Sequence, residues 1–473
     1  MPHTDPHRQH YGLTFAVLAL AGAAYSLLQS LVAPALPTLQ HDLHASPTTV
    51  TWILTSYLLS ASVATPIFGR LGDMYGKERL LVIVLGVLAA GTLVSAVATT
   101  AGVMILGRSI QGAGGAVFPL AFGIIRDEFP PQRVAIGISF ISAILGIGAG
   151  AGIVLAGPIV DNLSYHWLFW LPLVAVLVAL VATVLFVPES PIKTPGRVNW
   201  TGGALLSAWL VAVLVAVSQG PTWGWGSART LGLFAAGALL CVAWVRVEAR
   251  SREPLVDMRM MRLRGVWTVN LTAFLLGAGM YCSFVLIPQF VEAPASAGYG
   301  FHSSVTAAGL FLLPSTLGML IVSPLAGRLA NAVGSKIPLV LGALLTASCF
   351  GTLAATHGQR WEFYLAAGFL GAGIGFAFAA MANLIVEVVP ARQTGVATGM
   401  NTVMRTIGGS VGAQVAASIL AAGAVNGVPT EHGFTIAFAL AAGAVLVGVV
   451  SALVVPGRSR ARRPQESGTV AVA

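Results

Sequence analysis

The sequence predicts an all-α polytopic membrane protein: two six-helix bundles related by an internal repeat, two extra helices between them, fourteen transmembrane helices in all. Three observations carry this. Of 473 residues, 56% are hydrophobic and 9% charged, with a mean hydropathy of +0.85; a soluble domain carries roughly 25% charge. The apolar residues fall into runs of about twenty, the length that crosses ~30 Å of hydrocarbon. The pattern Pro-x-x-Gly-Arg-Leu-x-x-x-x-Gly occurs twice, from Pro66 to Gly76 and from Pro324 to Gly334, 258 residues apart.

Taken in order, the runs lie at 12–35, 50–69, 80–99, 101–124, 136–160, 167–187, 202–219, 229–246, 266–290, 304–325, 337–356, 362–386, 395–422 and 433–455. The first is too long for a signal core and runs on to Pro34 and Pro37 without a small-residue cleavage pattern, so it reads as helix 1. The halves align beyond the repeated pattern: Gly112-Ala113-Gly114 matches Gly371-Ala372-Gly373, and Pro130 matches Pro390. The repeat therefore covers helices 1–6 and 9–14, and helices 7 and 8 have no counterpart. This divides the chain into a bundle at 12–188, a linker with two extra helices at 189–265, a second bundle at 266–456 and a polar, Arg-rich tail at 457–473 that is expected to be disordered.

The charges follow the membrane. With the N-terminus inside, the inner segments hold 21 Lys and Arg, the outer loops hold Arg229 and Arg360, and Arg108 and Arg405 remain inside spans. That asymmetry sets orientation by the positive-inside rule, with both termini cytoplasmic and the protein in the cell membrane. The net charge of +9 is thus a topology signal, not a nucleic-acid signal. Cys241, Cys282 and Cys349 sit in apolar runs without metal spacing. No metal or cofactor is expected, and no clustered catalytic set marks an enzyme. The expected partners are the lipid bilayer and a small-molecule substrate, and the expected state is a monomer. Two copies of one membrane unit, each with a Gly-rich basic segment, are the organisation of a secondary transporter.

The first repeat segment, Gly69 to Arg79, reads as a tight loop between two spans. Gly69 and Gly76 permit reversal and close approach, and Arg70, Lys77 and Arg79 are expected at the inner surface. Asp73 can meet a helix N-terminus or an Arg and so latch one conformation. The second copy has Asn331 where the first has Asp73.

Here the chain resembles the major facilitator superfamily, whose inner-loop motif is G-x-L-x-D-x-x-G-[RK]. The fourteen helices with an inserted central pair resemble its drug:proton antiporter branch. Trp52, Tyr57 and Gly69 fit that branch's W-x-x-x-x-Y…G pattern. Leu106-Gly107-Arg108-Ser109-Ile110-Gln111-Gly112 fits its helix 4 motif, Ala35-Leu36-Pro37 the end of helix 1, and Phe129-Pro130-Pro131-Gln132-Arg133 the loop after helix 4. The resemblance covers about residues 12–455. It implies efflux of drugs, antibiotics or metabolites by proton-coupled antiport through alternating access, with the major facilitator fold. Uptake by a symporter of the same fold stays open, because direction does not follow from the residues.

Arg108 lies within helix 4, where an Arg costs about 2.5–3.5 kcal/mol on insertion scales and is usually functional. The resemblance links it to proton coupling; a hydrogen-bond hub to backbone carbonyls is the alternative. Gln111 lies one turn on. Arg405 stands near mid-membrane in helix 13. In helix 5, Gly148, Gly152 and Gly157 are expected to line an interface between the halves, although the antiporter pattern G-P-x-x-G-G is replaced by Gly152-Ile153 and Ala156-Gly157-Pro158. Helix 1 has Leu28 where the branch often carries Asp, and no carboxylate falls in the central membrane. The expected cavity is therefore net positive, from Arg108 and Arg405, with Tyr25, Gln29, Trp52, Tyr57, Asn270, Gln289 and Asn401 supplying the rest. It favours neutral or acidic amphipathic substrates. Asp161 and Glu292, near the outer mouth, are the remaining candidate proton sites.

Overall fold

The computed structural model describes residues 11–32, 34–190, 193, 199–294, 297–425 and 428–456; the predicted tail at 457–473 lies outside them. The helices in chain order are α1 (Tyr11–Ser30), α2 (Leu36–Asp42), α3 (Pro47–Tyr75), α4 (Lys77–Ala96), α5 (Ala101–Gln111), α6 (Val117–Glu128), α7 (Pro131–Asn162), α8 (Trp167–Phe186), α9 (Trp200–Trp223), α10 (Ala228–Arg250), α11 (Met258–Met261), α12 (Arg264–Val291), α13 (Val305–Phe311), α14 (Leu313–Val333), α15 (Lys336–Ala355), α16 (Arg360–Val388), α17 (Thr394–Ala422) and α18 (Glu431–Val454).

Among the described residues, twelve helices are long and apolar enough to cross a membrane, against the fourteen runs expected. The other two runs are helical but differ physically. Residues 101–128 are broken by a 3-10 turn at Gly112–Ala116, which leaves pieces of 11 and 12 residues on either side. The turn packs tightly on α3: a Cβ on Gly112 would lie 1.8 Å from the Ser60 hydroxyl, and one on Gly115 2.3 Å from that of Thr65. Helix α17 has 29 residues, but Thr398, Asn401, Thr402, Arg405 and Gln414 dilute its apolar character.

The repeat segments are not loops. Gly69 to Tyr75 completes α3 and Arg328 to Val333 completes α14. The reversal falls on one residue each time, Gly76 (φ 117°) and Gly334 (φ 93°), in a region that side chains rarely adopt. Lys77, expected at the surface, opens α4 and is fully buried.

Two apolar cores form. One draws on residues from Val17 to Val187 with Ala382 and Val386, the other on residues from Leu206 to Val455. Outward faces stay apolar: on α8, Val174, Val178, Val181 and Leu185 are exposed at helical spacing, as lipid contact requires. Helices α3 and α17 pack together across the two cores, as do α7 and α14. The pair α9–α10 leans on the first of these seams. Thr55 of α3 and Ser218 of α9 share a hydrogen bond of 3.1 Å, and Trp225, just after α9, donates to Ser418 of α17 at 3.0 Å.

Candidate functional site

A cavity of about 360 Å³ lies between the cores. Helix α1 contributes Tyr25 and Gln29, α3 Tyr57, α12 Tyr281 and Phe284, α16 Phe378 and α17 Arg405. Glu292, just past α12, also lines it; α12 runs alongside α17, with Asn270 against Asn401 and Cys282 against Gly412, so Glu292 lies at the end remote from the start of α17. The Gln29 amide donates to the Tyr281 hydroxyl at 3.3 Å, one polar bridge across the space. Tyr25 packs its ring 6.2 Å from Tyr57 and 6.0 Å from Phe118. The Arg405 guanidinium lies 4.5 Å over the Phe378 ring, within cation–π range.

Other expected cavity residues stand elsewhere. Trp52 is half-buried and Gln289 exposed, and neither lines the cavity. Gln289 misses it because successive helical residues turn by about 100°, and its neighbours Pro288 and Glu292 take the inward face. Asn401 donates to Asn270 at 2.9 Å, a buried bond between α17 and α12. Asn401 does line a small pocket of about 20 Å³ next to Arg405, and Asn270 does not.

Arg108 is fully buried and is not among the cavity's lining residues. Its guanidinium donates to the Leu28 carbonyl at 3.1 Å, the Ile53 carbonyl at 3.4 Å and the Gln111 side-chain oxygen at 2.7 Å. Tyr57 covers it, with its ring 4.2 Å away. The geometry is that of a hub joining α1, α3 and α5, and the positive charge expected in the cavity from two arginines reduces to that of Arg405.

The seam between α3 and α17 is polar where α17 begins. The fully buried Asp73 carboxylate accepts from the backbone amides of Gly395 and Val396, each at 3.2 Å. These are unpaired donors of a helix N-terminus, where negative charge is favoured. Lys77 lies 3.8 Å from Asp73 and 2.6 Å from Asp127, and Ser190 donates to the same Asp127 oxygen. Arg126 donates to the Thr394 hydroxyl at 2.6 Å and the Val389 carbonyl at 2.9 Å. Arg70 is nearly buried, not at the surface. The second seam uses other chemistry: the Asn331 amide donates to the Gln132 carbonyl at 2.9 Å, and Asn383 to Ser139 at 3.2 Å.

The α7 glycines divide between two neighbours. A Cβ on Gly148 or Gly152 would strike Ser26 or Ser30 of α1, so these two pack within the first core. The contact across to α14 belongs to Gly146 and Gly150, facing Met319 and Thr316. Gly157 is half-buried further along the helix. The Asp161 side chain lies outside the described residues. Burial pushes the Glu292 carboxyl above its ordinary value. Sequence reasoning passed over Tyr281, Phe378, Arg126 and Gly395; only Arg126, beside the Phe129-Pro130 motif, carried any local signal.

A helical membrane protein with an aromatic cavity between two cores, closed at one end by buried polar contacts, has the architecture of a solute transporter. The profile of the Major Facilitator Superfamily matches residues 18–292 and 269–472, and the chain belongs to that family. It is 30% identical over 357 residues to multidrug resistance protein 3 of Bacillus subtilis (strain 168), covering 73% of this chain and 67% of that one. It is 31% identical over 399 residues to the tetracenomycin C resistance and export protein of Streptomyces glaucescens, covering 81% and 71%. Among solved structures, the human organic anion transporter MFSD10 (TETRAN) superposes with a TM-score of 0.66 at 16% identity, covering 95% of this chain and 100% of that one, which shows the shared fold. The protein is a multi-pass membrane transporter of that family, not an enzyme.

Proposed function

We propose that the protein exports small amphipathic compounds across the cell membrane by proton-coupled antiport, with fourteen spans, both termini cytoplasmic, and the monomer as working unit. The bundles at 12–188 and 266–456 rock about the cavity, with residues 189–265 carrying the inserted pair. The observation that carries this reading is the pairing of a central cavity with a closed seam at one end. Asp73 on the α17 N-terminus holds that end shut while Glu292 stands at the other. Breaking the Asp73 contacts to open that end while the other end closes is the alternating-access exchange. Arg108, tied with Gln111 to α1 and α3, sets the Tyr57 wall of the cavity and so couples helix position to cavity shape. Glu292, already biased toward its protonated form, is the candidate proton acceptor on the outer side.

The test is transport in proteoliposomes under an imposed pH gradient with a chemically diverse panel. Substrate should move against the proton flow, and collapse of the gradient should abolish accumulation. Accumulation indifferent to the gradient would remove proton coupling from the reading.

A further inference from the structure

Among the described residues, Arg405 and Glu292 are the only charged side chains lining the cavity. Arg405 makes no ion pair with any described carboxylate. The phenols of Tyr281 and Tyr25 line the same cavity and carry no charge to offset it. Its backbone has no freedom to withdraw. A Cβ on Gly277 of α12 would lie 2.2 Å from the Arg405 carbonyl oxygen, and one on Gly408 1.9 Å from that of Phe274. The backbone that carries the cation is thus held in place, and the half-buried guanidinium stands in the cavity wall without an ion-pair partner among the described residues, an arrangement that is costly until an anion arrives.

The surroundings specify more than charge. Aromatic rings of Tyr25, Tyr57, Phe118, Phe284 and Phe378 form much of the wall. The Tyr57 hydroxyl is buried beside the Tyr25 ring and has no hydrogen-bond partner among the described residues. Arg405, Phe118, Phe378 and Thr402 also line the small pocket of about 20 Å³ that the cavity meets there, so a ligand passing between the two spaces crosses the guanidinium.

We propose that Arg405 is the substrate's counter-ion and that the cavity takes aromatic monoanions, the anionic group on the guanidinium and the ring among the phenyl and phenol side chains. This rests on the cavity being the transported compound's binding site and narrows its charge and shape. A planar carboxylate matches the guanidinium's forked donors, which a neutral ester or an ammonium does not.

The experiment is equilibrium binding to the full-length protein in lipid nanodiscs, with three probes sharing one ring system: 1-naphthoate, its methyl ester and 1-naphthylmethylammonium. The wild type should bind naphthoate at least ten-fold tighter than either of the others. Arg405→Gln should lower naphthoate affinity to that of the ester and leave the ester unchanged, while Arg405→Lys should recover part of the difference. Equal or tighter binding of the ammonium, or an Arg405→Gln protein that keeps the naphthoate preference, overturns the inference. If Arg405→Gln does not fold, the wild-type ranking of the three probes decides alone. Gradient-driven export of a cationic dye with no naphthoate preference sinks the anion site but leaves the export reading intact. Naphthoate binding with no gradient-driven transport of any compound sinks that reading instead.

Discussion

Gly69 and Gly395 meet backbone to backbone: a Cβ built on either would lie 2.5 Å from the other's carbonyl oxygen. No side chain fits there while the seam is closed. Gly395→Val should therefore hold the α3–α17 seam apart. Spin labels at positions 79 and 392, on either side of it, should show a longer mean separation than in wild type, with transport reduced at least ten-fold. An unchanged distance distribution would mean that the seam is not a closing contact.

Asp73→Asn keeps the shape of the side chain and removes its charge. Hydrogen bonds to a charged group contribute about 1.5–3 kcal/mol, so the closed seam should lose roughly that much and the same label pair should report a larger open population. Asn331→Ala, at an exposed position on the second seam, should cost nearer ~1 kcal/mol. Equal effects from the two changes would mean that the charge of Asp73 is not what holds its seam.

Arg108→Ala would strip donors from the Leu28 and Ile53 carbonyls and open a void behind Tyr57. A loss of about 3 kcal/mol in stability is expected from unsatisfied groups and cavity together. It is readable as a clear fall in melting temperature in detergent. Arg108→Lys should recover only part, since a lysine cannot fork to both carbonyls. Wild-type melting in the alanine variant would contradict the hub.

Glu292 carries a pH signature. Its carboxyl is raised by burial, so the folded protein holds that proton to higher pH than the unfolded chain does. Stability should then decline as pH rises from the ordinary glutamate range through the raised one, and Glu292→Gln should flatten the decline. If the two proteins have parallel melting profiles across that range, Glu292 does not titrate as the structure requires.

The helices were legible because hydrocarbon thickness dictates their length. The repeat segments were not legible as helix, because Pro66, Gly69 and Gly72 look like breakers in isolation. They stay helical since their neighbours require close approach: a Cβ on Gly72 would lie 2.3 Å from Leu120. On α7, a shift of two residues exchanges one helix face for the other, so Gly146 and Gly148 meet different partners, and nothing local to the chain says which. The same limit applies to Arg108. A buried arginine in a span announces that it matters, but whether it faces a cavity or a set of carbonyls depends on the rotation of α5 against α1 and α3. Tyr281 had no signature at all, since its role exists only where Gln29 reaches it.

The inserted pair has a mechanical consequence. Its hydrogen bonds reach α3 through Thr55 and α17 through Trp225, one on each side of the seam that Asp73 fastens. Thr55 and Ser418 lie near the end of α3 and α17 remote from Asp73, and when the two helices separate at that end the pair cannot follow both. It must let go of one, at about 1 kcal/mol per hydrogen bond, and travel with the other. The helices without a counterpart in the repeat therefore act as a brake on one seam, and the second seam, between α7 and α14, turns without it.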